Sequence, residues 1–146
     1  MDDNDTTPRR ASALDRLLGD FAAALPCVRH VVVLSADGLC LAWHGGGPDS
    51  AERLAAVASG VESLARSVVG ELTDREPSPG EAARMVLMEL DGGFFLLMSA
   101  GARTCLAVTT DEGGEPGRVG AGMRDLAPRL GDHLAALGAA ARKASP

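Results

Sequence analysis

The chain has 146 residues, 46% of them hydrophobic and 23% charged, which is enough for one buried core and too short for two comfortable domains. Fourteen basic against 20 acidic residues give a net charge of -6, with no basic face of the kind that displaces counterions from nucleic acid. No apolar run approaches the roughly 20 residues that cross a bilayer, and the opening Met1-Asp2-Asp3-Asn4-Asp5 lacks the basic and apolar regions of a signal peptide. Cys27, Cys40 and Cys105, odd in number and set among apolar neighbours, read as reduced core residues of a cytoplasmic protein.

Residues 1–11 are polar, carry Pro8 and two arginines, and are expected to form a disordered tail. A single domain is expected over 12–140, followed by a frayed end at 141–146. Ser12 opens a capping-box-like start with Asp15 at the third position. Leu14, Leu17, Leu18, Phe21 and Leu25 then follow at helical spacing until Pro26.

Residues 28–35 are rich in β-branched side chains, and 39–44 form a second apolar run. Ala36-Asp37-Gly38 between them predicts a tight hairpin. Gly45-Gly46-Gly47-Pro48 breaks the sheet, and Asp49 is expected to cap a second helix with Glu52 at the reciprocal position. In that helix Leu54, Val57, Ala58, Val61, Leu64, Ala65, Val68 and Leu72 make one apolar stripe, expected to face the core. Pro77 and Pro79 place a loop over 73–80.

Three strands are expected at 84–90, 94–100 and 103–109, the first two joined by Asp91-Gly92-Gly93 and the second pair by a turn at Gly101. Phe94-Phe95-Leu96-Leu97-Met98 is apolar on both faces, so this strand should be central and covered on both sides, which favours a layered α/β (α+β) arrangement. After an acidic loop at 111–117, Val119, Met123, Leu126, Leu130, Leu134 and Leu137 mark a last helix, which Pro128 should kink or split. The order is helix, strand, strand, helix, three strands, helix.

No catalytic set accompanies this order. Gly45-Gly46-Gly47 precedes a helix, yet no Lys-Ser or Lys-Thr follows and Asp49 would repel a phosphate, so a plain strand-to-helix loop is expected. His30, His44 and His133 are scattered, with no metal-ligand spacing. No nucleophile sits in a recognisable signature. The reading is a non-enzyme without cofactor or metal.

Two features point outward instead. Ala56, Gly60, Ser63 and Ser67 recur along the second helix at spacings of four, three and four, a row where another helix can come close. Gly60 is costly inside a helix and so asks for a reason. The strand at 84–90 carries only Arg84 and Glu89 as charges, and Met85, Val86, Leu87 and Met88 are adhesive. At a sheet edge it would pair with the same strand of a second chain under two-fold symmetry. These eight residues are the expected dimer or partner interface.

The chain resembles the Roadblock/dynein light chain family, in particular its bacterial members, over about 12–137. The resemblance rests on the element order, Leu17-Leu18-Gly19-Asp20-Phe21, Val31-Val32-Val33-Leu34-Ser35-Ala36-Asp37-Gly38-Leu39, the long second helix and the closing Gly131-Asp132-His133-Leu134. It implies a five-stranded antiparallel sheet with the first and third helices on one face and the second on the other. It also implies homodimers whose third strands pair and whose second helices lie together. Members of the family bind small Ras-like GTPases as activators, anchors or assembly platforms, beside a sensor kinase in some bacteria, and they carry no nucleotide motif of their own. A homodimeric GTPase adaptor is the leading expectation; a small-molecule-sensing domain is the alternative.

Overall fold

The computed structural model describes residues 9–77, 84–101 and 103–144, with side chains over 13–77, 84–101 and 103–140. The elements are α1 (Arg9–Ala24), β1 (Val28–Ser35), β2 (Cys40–His44), α2 (Pro48–Thr73), β3 (Val86–Leu90), β4 (Gly93–Ser99), β5 (Thr104–Thr110) and α3 (Pro116–Ala144). All strand pairs are antiparallel, in the order β2-β1-β5-β4-β3, so β2 and β3 are the edges.

The period-two alternation of the central strands divides the core in two. Val31, Val33, Leu96, Met98, Leu106 and Val108 point to one face and meet Leu14, Leu18 and Phe21 of α1 and Val119, Met123, Leu126 and Leu130 of α3. Val32, Leu34, Phe95, Leu97, Cys105 and Ala107 point to the other face and meet Ala51, Ala55 and Ala58 of α2. Strand β4 is therefore buried on both sides, and the layered reading holds.

Several local expectations need correction. The first helix begins at Arg9, so Ser12 lies inside it; residues 1–8 of the expected tail, and the Ser12 side chain, fall outside what is described. Asp49 does not cap α2. Gly47 is the N-cap and Pro48 takes the first helical turn, where its missing N–H costs nothing and its fixed φ suits the helix. Asp49 stands in the first turn, a favourable place for a negative charge. Pro128 does not split α3, which runs unbroken from Pro116 to Ala144. It faces solvent, so the stripe through Leu126 and Leu130 keeps its register against the sheet.

Gly45 and Gly131 are among the close approaches that require glycine. Gly45 has φ +89, and a Cβ there would collide with the Arg29 carbonyl oxygen. Gly131 lets α3 approach the end of β4, since a Cβ would lie 2.8 Å from the Ala100 carbonyl oxygen. Gly60 differs: nothing lies within 4 Å of the added Cβ, and its exposed helical site gains from a better helix former. Gly45→Ala should therefore cost about 2 kcal/mol or more from left-handed strain and the clash. Gly60→Ala should stabilise by about 0.5–1 kcal/mol. Chemical denaturation midpoints of the two variants check both signs.

Candidate interaction surface

Helix α2 is seated on the sheet through its small residues. Ala51, Ala55 and Ala58, at intervals of four and three, are fully buried over the sheet. Half-buried Leu54 and Val61 flank this seam. Alanine keeps the helix axis close to the strands, and α2 rests on β1 and β2 rather than on β3 and β4.

This placement overturns the expectation that the whole apolar stripe faces the core: Ala58 is fully buried and Leu54, Val61 and Ala65 half-buried, but the rest is not. Val57, Leu64, Val68 and Leu72 are all more than half exposed, Leu64 at 70% and Leu72 at 79%. With Val61 they form a row about 100° around the helix from the alanine seam. The row runs along the C-terminal two thirds of the helix, and its Val57 end borders the uncovered part of the sheet. There a groove of about 590 Å³ opens, floored by Met88, Leu90 and Phe95, walled by Leu54 and Val57, and rimmed by Arg29, His30, Arg53 and Asp91. Contiguous exposed apolar surface is the kind of surface from which interaction sites are built.

The eight residues singled out from sequence fall in two places. Ala56, Gly60, Ser63 and Ser67 are exposed on the side of α2 turned away from the sheet, and the Ser67 hydroxyl donates to the Ser63 carbonyl at 3.4 Å. Met85 precedes β3 and packs against the α1/α3 core. Val86 and Met88 pack, half-buried, against the α2-side core, whereas Leu87 is 51% exposed toward the other face. Strand β3 is indeed an edge, with no strand on its outer side among the described residues. The residues that sequence reasoning missed are the exposed apolar ones on α2 and Leu90; the alanine seam at 51, 55 and 58 was the signal that could have found them.

The opposite edge is built differently. Leu34 pairs with Cys40 while Val33 pairs with Ala42, so Leu41 is an extra, bulged residue in β2. A bulge twists an edge away from further pairing. No such irregularity interrupts β3 against β4.

The titratable groups with shifted pKa values lie apart from one another. His30 Nδ1 lies 2.7 Å from the Thr109 hydroxyl, and its pKa is lowered by burial and by neighbouring Arg29. Burial pushes the Cys105 thiol up to about 11 and raises Cys40 as well, which makes both poor nucleophiles. Asp37 accepts a short hydrogen bond from the Ser35 hydroxyl, which with the turn's own backbone holds its carboxyl below the usual range; the pair fixes the β1–β2 turn. Among the described residues no cluster of three His, Cys, Asp or Glu could hold a metal ion, and no helix is long and apolar enough to cross a membrane.

An antiparallel five-stranded sheet with two helices on one face and one on the other defines the Roadblock fold. The sequence matches the Roadblock/LC7 domain family over residues 14–110, and the chain belongs to that family. A Roadblock/LC7 domain from Streptomyces avermitilis is 35% identical, with 82% of this chain and 96% of that one covered at a TM-score of 0.74. The gliding protein MglB from Thermus thermophilus is 16% identical, with 86% and 88% covered at a TM-score of 0.69. An MglB described in a tetrameric arrangement is 15% identical, with 86% and 90% covered at 0.74; these last two likenesses are of fold. A comparison with curated proteins found no match.

Because Leu64 is exposed, a charge there meets no core. Leu64→Asp should keep the wild-type circular dichroism and lie within about 0.5 kcal/mol of it in stability, measured by denaturation at a concentration where the chain is monomeric. Unfolding of this variant would return the stripe to the core.

Proposed function

We propose that the chain is a non-catalytic, homodimeric adaptor that binds a small Ras-like GTPase and tunes its nucleotide cycle in a cytoplasmic signalling system, beside a sensor kinase. The observation that carries this reading is the unburied apolar row of α2 standing beside the open edge β3. Each large aliphatic side chain gains roughly 1.5–3 kcal/mol on full burial, and within one chain that gain is left unrealised. A second copy related by a two-fold axis at β3 realises it, because one self-complementary patch then serves both chains. In such a dimer β3 pairs with β3 through its free N–H and C=O groups, and the two α2 helices lie side by side on one face of a ten-stranded sheet.

Family membership supports an adaptor or regulator rather than an enzyme. The partner class follows from the family resemblance carried by Ser35-Ala36-Asp37-Gly38-Leu39 and the long second helix. Such a partner supplies its own nucleotide site, so the adaptor acts by holding the GTPase in one of its conformations; binding one nucleotide state more tightly shifts its population by the ratio of the two affinities. The apolar groove beside α2 supports a second reading, a small-molecule sensor.

Affinity capture from native lysate with the tagged chain, in parallel with a non-hydrolysable GTP analogue and with GDP, tests the partner. One small GTPase recovered at least about tenfold better in one arm is expected, corresponding to about 1.4 kcal/mol between states. Equal recovery in both arms would reduce the role to passive anchoring. Recovery of no GTPase, with a small molecule retained by the purified chain, would favour the sensor.

A further inference from the structure

The apolar row on α2 has an internal symmetry. Four of its five residues, Val57, Val61, Leu64 and Val68, follow at intervals of four, three and four, so their spacing is the same from both ends about a centre between Val61 and Leu64, with Leu72 one turn beyond. Arg53 and Glu71 bracket these four on opposite sides, within one residue of equal distance from that centre. They stand 18 residues apart, five full turns of helix, and so occupy the same side, at the solvent rim of the row. Both are exposed, and among the described residues neither has an ion-pair partner.

We propose that Arg53 and Glu71 set the register of a two-fold α2–α2 contact, each Arg53 pairing with Glu71 of the second copy. This rests on the dimer proposed above. A two-fold axis normal to the sheet at β3 makes the two α2 helices antiparallel on the same face. Antiparallel helices with their axis at the centre of the row set Val61 against Leu64 of the second copy and Val57 against Val68. The same operation brings the C-terminal part of each α2, with Leu72, over the groove of the other chain, where Arg53 stands at the rim above Leu54 and Val57. Charge complementarity then fixes which copy of the row is met. Around Glu71, Asp74 and Glu76 outweigh Arg75, and the helix C-terminus adds partial negative charge; Arg53 thus faces a net negative end. A slip by one helical turn would keep apolar contact but separate the charges, so the pair contributes specificity more than affinity.

The test is a charge exchange on the full chain, read by sedimentation equilibrium. Arg53→Glu alone and Glu71→Arg alone each place two like-charged pairs in the symmetric dimer, and each should weaken it about tenfold or more at low salt. An equimolar mixture of the two variants regains both attractive pairs as a heterodimer and should associate within about threefold of wild type. Single variants that dimerise as tightly as wild type, or a mixture no tighter than its components, would overturn the register. A wild-type chain that stays monomeric would instead overturn the dimer on which it rests.

Discussion

The contact between α2 and the sheet governs the rest of the molecule. Three alanines bring a 26-residue helix down onto β1 and β2, and only small side chains allow that proximity. Once the helix is seated this way, its larger aliphatic residues cannot also reach the sheet. They are turned sideways, toward β4 and β3, where no described residue covers them. The uncovered row and the open groove are thus one consequence, produced by putting the smallest residues rather than the largest against the strands.

The two faces of the sheet are accordingly unequal. On the α1/α3 side, Leu18, Met123 and Leu130 interdigitate with Val31, Leu96 and Leu106, and every one of these is fully buried. That half satisfies itself. On the α2 side the core is shallower, and half-buried Trp43, Met88 and Val86 mark its margin. The edges match this inequality, since β2 is bulged at Leu41 whereas β3 is regular. A regular edge beside an uncovered apolar helix face is the arrangement from which the symmetric dimer is proposed.

Much of the architecture was legible in the sequence. The shift from a spacing of three and four to alternation marked every element, and Ala36-Asp37-Gly38 and Asp91-Gly92-Gly93 located the hairpins. The doubly apolar β4 signalled cover on both faces, and Met85 to Met88 suggested an edge. The face of α2 was misread for a physical reason. Apolar periodicity shows where hydrophobic side chains share a side, but apolar residues also occupy protein surfaces, so the pattern alone does not choose the core side. Leu64 and Leu72 outweighed Ala51 and Ala55 in that reading, although close packing against strands favours the alanines. Pro128 misled similarly, because its effect depends on whether it faces the sheet or solvent, and only the packed helix decides that. The absence of a catalytic signature directed attention to surfaces, and the family match then supplied the class of protein.

The central claim is that a second copy covers the α2 row and the β3 edge. Light scattering coupled to size exclusion, run on the wild-type chain across a hundredfold range of concentration, tests it most directly. The account predicts a species of twice the 14.9 kDa chain mass that gives way to the single chain on dilution. A mass of 14.9 kDa at every concentration would contradict it, and the apolar row would then need another partner.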